Sequence, residues 1–253
     1  MKTILVQQDI IWGSPEANVE KLDRLLADAP EADLVVLPEM FTTGFATDPR
    51  EIVAEDPLVG LPWMRKFASE RNCAVVGSIA TKDNGRLYNR LFFVTPEGEE
   101  HYDKRHLFNF GGENRAFYRG YTRKVVPWRG VRFLLTVCYD LRFPVWNRNL
   151  GDYDATICCA NWPIPRQLAW DTLTHARAIE NQCYFLAVNR CGKDPKCDYL
   201  GHTALINPYG EDVAKCPPGE ESYVVGDIDM DLLRSYCSKF PVLDDEDIFT
   251  VQI

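Results

Sequence analysis

The 253-residue sequence lacks a basic excess, a long apolar run and a secretory leader, and each absence narrows what the protein can be. Its formal net charge is −9, so it carries no cationic footprint for nucleic acid or an anionic membrane surface. No apolar run approaches the length of about 20 residues that a membrane-spanning helix needs. The first ten residues resemble a strand rather than a charged-then-apolar leader. We therefore expect a cytoplasmic protein that binds neither nucleic acid nor membrane.

Cysteine is plentiful but follows no pattern typical of a disulfide framework or a metal site. The nine cysteines are an odd number, which together with the missing leader favours reduced thiols over paired ones. Cys191, Cys197 and His202 come nearest to a zinc-like grouping, but they contain no C-x-x-C pair and lie in a stretch rich in loop residues. The cysteines therefore predict neither a disulfide nor a metal ion.

The strongest secondary-structure signal is a series of short apolar runs with helical patterns between them. The runs 32–37 (ADLVVL), 73–79 (CAVVGSI), 154–160 (DATICCA) and 183–189 (CYFLAVN) predict strands, and the first of them is expected to be buried on both faces. Residues 166–182 predict the longest helix, 83–85 (DNG) a hairpin turn, and 40–57 a long loop. With no repeat or low-complexity linker, the pattern predicts one α/β domain over residues 1–253, with helices outside a mixed, mainly buried sheet.

Three chemically active side chains follow three predicted strands. Glu39 comes just after the strand 32–37, Lys104 follows a strand around Tyr102, and Cys138 follows the run Val131–Val137. In α/β proteins the ligand crevice lies beyond the carboxyl ends of the strands. The three side chains can therefore meet at one place, where a turn after Cys138 leads to Pro144 as the first residue of a helix.

Together these residue types form a complete set for acyl transfer from an amide. A nearby cation such as Lys104 favours the thiolate of Cys138, and a carboxylate such as Glu39 can take the thiol proton as general base. Lys104 and the backbone N–H of Tyr139 could hold the oxyanion of a tetrahedral intermediate. Taken singly, each residue also has an ordinary structural explanation: a core thiol, a solvated strand-end carboxylate or a surface lysine.

Three segments resemble the signature motifs of the nitrilase superfamily of carbon–nitrogen hydrolases. They are LVVLPEMFTTGF, YDKRHLF and VCYDLRFP, and the resemblance extends over nearly the whole chain, including NPYGE and the tail FPVLDDEDIF. Within the superfamily, CYDLRFPVWNRN and the loop KRHLF…GGENRAFYRGY look most like the omega-amidase branch. That branch acts on the terminal amide of 2-oxo acids such as 2-oxoglutaramate and 2-oxosuccinamate.

The resemblance implies a four-layer αββα sandwich and a catalytic triad of Glu39, Lys104 and Cys138. It implies that Glu113 matches a second glutamate that orients Lys104 or the substrate amide. It also implies a thioester mechanism without a metal or organic cofactor, and a homodimer or higher homo-oligomer. We expect the C-terminal tail, residues 240–253, to contact the second copy.

The substrate contacts rest on residue chemistry near the motifs. A planar guanidinium can bind a carboxylate in bidentate fashion, and Arg142, four residues after Cys138, is the candidate. Phe41, Phe45 and Trp162 are candidates for the pocket wall, although aromatic residues near a sheet edge also commonly belong to a core or a dimer contact.

Other interpretations remain open at this point. An amidase or N-carbamoyl amine hydrolase of the same superfamily would act on another small molecule and need no carboxylate-binding arginine. A nitrilase acting on a nitrile and a catalytically silent binding protein are further alternatives. A papain-like cysteine enzyme would instead use His106 or His175 as its base.

Overall fold

The computed structural model describes residues 1–48 and 56–251 of the chain. The expected loop 40–57 lies outside the described residues over 49–55, as do the last two residues of the tail. The strands are β1 (Lys2–Gln7), β2 (Leu34–Val36), β3 (Ala74–Asp83), β4 (Arg86–Thr95), β5 (Gly98–Asp103), β6 (Val125–Trp128), β7 (Val131–Val137), β8 (Ala155–Ala160), β9 (Tyr184–Asn189), β10 (Cys191–Lys193), β11 (Asp198–Leu200), β12 (Ala204–Ile206), β13 (Asp212–Lys215) and β14 (Ser222–Asp227). The α-helices are α1 (Pro15–Leu25), α2 (Asp56–Arg71), α3 (Pro144–Asn147), α4 (Gln167–Glu180) and α5 (Met230–Lys239).

Twelve of these strands form two mixed six-stranded sheets within the described residues. The first has the order β14-β1-β2-β3-β4-β5 and the second has the order β13-β12-β9-β8-β7-β6. In each sheet three central strands run parallel: β1, β2 and β3 in the first, and β7, β8 and β9 in the second. The flanking strands join by antiparallel pairing. The predicted α/β class and its mixed sheets are therefore confirmed.

The alternation of side chains along each strand builds the four layers. Leu5 and Val36 of the first sheet belong to one core with Phe133 and Val188 of the second, so this core lies between the sheets. The neighbouring side chains of the first sheet point the other way and pack with residues of α1 and α2. Those of the second sheet pack with residues of α4. Because successive side chains face opposite sides of a strand, strands that are apolar throughout require apolar partners on both faces.

The structure contains the turn and the helix start that the sequence predicts most strongly. Residues 83–85 form the tight turn between β3 and β4, with Asn84 and Gly85 both at positive φ, as a two-residue hairpin loop requires. Pro144 is the first residue of α3. The sequence did not predict the short ribbon of β10 and β11. It also did not predict the 3₁₀ turn Val242–Asp245 within the tail.

None of the helices in the described part of the chain is long and apolar enough to cross a membrane.

Gly120 allows the chain to pass closely behind Lys104. Its N–H donates to the Lys104 carbonyl at 2.9 Å, and a Cβ at this position would lie 2.1 Å from the carbonyl oxygen of Asp103. A backbone atom cannot move aside as a flexible side chain can, so only glycine fits here.

We expect Gly120→Ala to lower the free energy of unfolding by about 1–3 kcal/mol, because the added methyl must displace backbone. Urea unfolding followed by circular dichroism measures this. The control is Gly85→Asn, in an open turn where asparagine tolerates the left-handed backbone. We expect this control to change stability by about 0.5 kcal/mol or less. Equal stability of the Gly120→Ala and wild-type proteins would contradict the contact.

Candidate active site

Lys104 is buried between two carboxylates beyond the end of β5. Its Nζ lies 2.8 Å from Glu39 Oε1 and 3.0 Å from Glu113 Oε2, and all three side chains are fully buried. Burial alone would lower the pKa of Lys104, but the charges of Glu113 and Glu39 together raise it above its ordinary value. Lys104 therefore keeps its positive charge. The two neighbouring carboxylates balance that charge, which a buried ion requires.

Asn89 holds the two carboxylates together and was not predicted from the sequence. Its Nδ2 donates to Glu39 Oε1 at 2.8 Å and to Glu113 Oε1 at 3.1 Å. Burial raises the pKa of Glu113. The charge of Lys104 opposes this rise, and the charge of Glu39 adds to it. The backbone N–H of Phe108 also donates to Glu113 Oε2, at 2.6 Å. Asn89 is fully buried within β4, and buried polar groups need partners, but the sequence alone does not show this burial.

Glu39 follows β2 and is fixed by the opposite sheet. The backbone N–H of Asn161, which follows β8, donates to Glu39 Oε2 at 2.9 Å. The side chain of Asn161 donates to the Glu39 carbonyl at 2.6 Å. The next residue, Met40, has a φ of 44° and its N–H donates to Ser78 Oγ at 2.9 Å. Glu39 therefore lies where the carboxyl ends of strands from both sheets meet, as the strand-end argument predicts.

Cys138 sits at the end of β7 with its backbone in a strained conformation. Its φ is 46°, which costs a non-glycine residue about 1–3 kcal/mol. Its Sγ lies 4.0 Å from the carbonyl oxygen of Asn161. The 3₁₀ helix Cys138–Arg142 begins here, and a helix's first turn does not use its own N–H groups. The N–H of Tyr139 is thus left available beside the thiol.

Asp140 ties the turn after Cys138 to the segment that carries Lys104. Its carboxylate accepts from the N–H of Val137 at 3.0 Å, from Tyr102 Oη at 2.8 Å and from the N–H of His106 at 2.9 Å. Because Tyr102 and His106 flank Lys104 in the chain, one buried carboxylate sets the position of the thiol relative to the ammonium group.

The surroundings of Cys138 favour the protonated thiol over the thiolate. Burial raises the pKa of Cys138 well above its ordinary value, the charge of Glu39 raises it further, and Lys104 opposes the rise. The thiol therefore needs a base at the moment of attack, and the nearby carboxylate of Glu39 is suited to that task.

A cavity of about 210 Å³ opens in front of Cys138. Its wall combines aromatic rings with charged and polar groups, and includes Phe45, Phe108, Cys138, Tyr139, Arg142, Asn161, Trp162, Arg166 and Tyr199. Lys104 Nζ lies 5.0 Å from the centre of the Phe45 ring, so the buried cluster is directly behind this wall. Arg142, Phe45 and Trp162 thus line the cavity in front of Cys138.

The expectation that Phe41 lines the pocket is wrong. Its side chain is fully buried in the core beneath α2, 6.1 Å from the ring of Trp63. Its ring also lies against Gly77, where a Cβ would come within 2.9 Å of it. The positive φ of Met40 turns the chain, so that Phe41 points into the core while Phe45 reaches the cavity.

Neither candidate histidine is placed to serve Cys138 as a base. His175 lies on α4, where its Nδ1 contacts the Asp171 carbonyl and its Nε2 lies 3.0 Å from Asp212 Oδ1. His106 is stacked on Phe143 and its Nδ1 lies 2.8 Å from Asp140 Oδ1. The geometry therefore favours a glutamate base over the papain-like alternative.

We predict that Glu39→Gln lowers the pKa of Cys138, because the substitution removes a negative charge that raises it. The thiolate's ultraviolet absorbance, measured against pH as a difference from the matching Cys138→Ser variant, reports this pKa. Glu100→Gln serves as the control, since Glu100 is an exposed partner of Lys124 and its loss should leave the titration unchanged. A pKa that is unchanged or higher in Glu39→Gln would contradict the electrostatic coupling.

Known proteins share the fold and much of the sequence of this chain. The family model described as carbon-nitrogen hydrolase matches residues 3–237. Omega-amidase YafV of Escherichia coli (strain K12) is 43% identical, over 98% of each chain, and 2-oxoglutaramate amidase of Bacillus subtilis (strain 168) is 34% identical, over 95% of each. The crystal structure of XC1258 from Xanthomonas campestris, a CN-hydrolase superfamily protein, is 37% identical with a TM-score of 0.94, over 100% of this chain and 99% of its own. These matches confirm the resemblance to the omega-amidase branch, and the chain belongs to the carbon–nitrogen hydrolase family, the nitrilase superfamily of enzymes that hydrolyse carbon–nitrogen bonds.

Proposed function

We propose that the protein hydrolyses the terminal amide of small 2-oxo acids such as 2-oxoglutaramate and 2-oxosuccinamate, through a thioester on Cys138. The observation that carries the proposal is the thiol of Cys138, which faces an aromatic, cation-bearing cavity with Glu39 and Lys104 buried behind it. The names of the E. coli and B. subtilis relatives support the choice of substrate.

The reaction begins when Glu39 takes the proton of Cys138 and the thiolate attacks the amide carbon. Lys104 and the N–H of Tyr139 stabilise the oxyanion of the tetrahedral intermediate. The intermediate collapses with cleavage of the carbon–nitrogen bond, and Glu39 returns the proton to the departing ammonia. Glu39 then takes a proton from water, which attacks the thioester, and the carboxylic acid leaves as the thiol is restored.

Glu113 acts in this scheme by holding Lys104 in place. It contacts the ammonium group with both of its oxygens, at 3.1 and 3.0 Å. The carboxylate nearest to the reaction, Glu39, is thereby not the sole counter-charge of the lysine. Lys104 can then interact with the oxyanion while it remains in contact with Glu113.

Arg142 binds the carboxylate end of the substrate. Its guanidinium lies 5.0 Å from the centre of the Trp162 ring, and both residues line the cavity in front of Cys138. A guanidinium that lies over an aromatic ring can still use its N–H groups to bind a planar carboxylate. The amide at the other end of a short chain would then reach the thiol.

The chain forms one domain, which pairs with a second copy of itself. The tail from residue 240 contributes to the contact. Exposed apolar side chains on and near α4 support this face as the interface: Leu168, Ile179, Tyr209 and Phe240. The nine cysteines are all unpaired, which supports a reducing, cytoplasmic environment.

The substrate class is tested by comparing ammonia release from 2-oxoglutaramate, glutamine and an N-carbamoyl amine. We expect kcat/KM for 2-oxoglutaramate to exceed that for glutamine by about 10- to 100-fold, because the α-ammonium group of glutamine would face Arg142 and weaken a charge-assisted contact. An N-carbamoyl amine that turns over far faster than 2-oxoglutaramate would contradict the proposal.

The nucleophile is tested by Cys138→Ala, which should reduce turnover by about 10⁴-fold or more, as loss of a nucleophile does in other acyl-transfer enzymes. His175→Ala is the matched control, and its rate should stay within about twofold of wild type because His175 contacts Asp171 and Asp212 rather than Cys138. Ammonia release measures both, with circular dichroism to verify folding. Full activity of Cys138→Ala, or loss of activity in His175→Ala alone, would overturn the mechanism.

A further inference from the structure

A second arginine, Arg166, lines the cavity together with Arg142. It ends the 3₁₀ helix Ile164–Arg166, directly before α4. Its guanidinium lies 5.1 Å from the centre of the Phe108 ring, much as that of Arg142 lies over Trp162. Two stacked guanidinium groups from different elements thus border one small cavity.

Both guanidinium groups keep their donors unused by the protein. Within residues 1–48 and 56–251, the side-chain nitrogens of Arg142 and Arg166 form no hydrogen bond or ion pair with another residue. Each guanidinium carries five N–H donors, and lying over an aromatic ring does not satisfy them. These donors therefore remain free to bind an oxygen ligand in the cavity.

The aromatic platforms under the two arginines are themselves fixed. Trp162 Nε1 donates to the carbonyl of Arg166 at 2.7 Å, and the backbone N–H of Trp162 donates to Asn189 Oδ1 at 2.7 Å. Trp162 therefore carries one guanidinium on its face and anchors the backbone of the other arginine. The Phe108 ring packs edge-on against Tyr139 at 5.1 Å, so the second platform is braced by the turn after Cys138.

The two arginines lie close to negatively charged groups that would repel an anionic substrate. The cluster behind Cys138 holds two carboxylates against one ammonium group, and the chain as a whole has a net charge of −9. The carboxylate of Asp194 also borders the cavity, but it accepts from the N–H groups of Lys196 and Cys197 and from Tyr199 Oη. An anionic substrate needs local cations to enter such a site.

We propose that Arg166 is a second specificity-determining residue, which forms with Arg142 a two-guanidinium clamp for the carboxylate end of an anionic amide substrate. This inference rests on the proposed function, because the clamp and the nucleophile share one cavity. The clamp selects the charged end of the substrate and takes no part in bond cleavage. It therefore acts mainly on binding and leaves the chemical step to Cys138 and Glu39.

The test compares KM and kcat of Arg166→Gln for 2-oxoglutaramate and for a neutral amide of similar length, such as pentanamide. We expect KM for 2-oxoglutaramate to rise about 10- to 100-fold, as for loss of a charge-assisted hydrogen bond, with kcat within about threefold of wild type. The kinetic constants for pentanamide should not change. Arg166→Lys should restore part of the binding, because it keeps the charge but loses the planar fork.

Arg119→Gln is the matched control for the general loss of one positive charge. Arg119 is exposed, stacks on Tyr121 and does not border the cavity in front of Cys138. We expect wild-type constants for both substrates in this variant. A comparable rise in KM for Arg119→Gln would overturn the clamp in favour of a long-range charge effect.

A binding measurement separates failure of the clamp from failure of the proposed function. Calorimetric titration of 2-oxoglutarate into Cys138→Ala, with and without Arg166→Gln, should show about 10-fold or greater weakening in the double variant. If wild type cleaves 2-oxoglutaramate but Arg166→Gln changes neither its KM nor this affinity, the clamp is wrong and the proposed function stands. If wild type does not cleave 2-oxoglutaramate, the proposed function fails. The titration then decides the clamp: weakened binding supports it and equal binding overturns it.

Discussion

The burial of Lys104 between Glu39 and Glu113 is the constraint on which the rest of the site depends. Three charges with no solvent contact persist only when hydrogen bonds satisfy each of them, and removing one partner of such a group costs about 3–5 kcal/mol. The donors come from separate parts of the fold: Asn89 on β4, the backbone of Phe108 in the following loop, and the backbone of Asn161 after β8. The cluster can therefore form only when the two sheets have packed against each other in their final positions.

The two-sheet architecture also allows the chain to hold strained residues beside that cluster. Met40 and Cys138 have positive φ in the segments that follow β2 and β7, and β2 and β7 are central parallel strands of the two sheets. A continuous core between the sheets fixes both strands, so the backbone can keep these angles despite their energetic cost. With these angles, Cys138 lines the cavity and Phe41 lies in the core.

Position along strands was the part of the site that the sequence could predict. Glu39 and Cys138 follow apolar runs and Lys104 follows the strand around Tyr102, so chain order was enough to expect that the three can meet. The structure brings Glu113 beside Glu39 and Lys104; their catalytic roles stay predictions. Asn89 and Asn161 were missed because a single amide within or just after a strand gives no periodic signal. Arg166 was missed because only tertiary folding carries the start of α4 to the cavity. Phe41 was assigned wrongly because the backbone reversal at Met40 has no signature in residue type.

The central claim is that Cys138 forms a thioester with the acyl part of an amide, and intact-protein mass spectrometry after mixing with a slow amide substrate tests it most directly. The account predicts a transient mass increase equal to the acyl group, located on Cys138 by peptide mapping, which decays as the acid is released and is absent from Cys138→Ala. Steady turnover with no acyl adduct on Cys138, or an adduct on another residue while Cys138→Ala remains active, would contradict it.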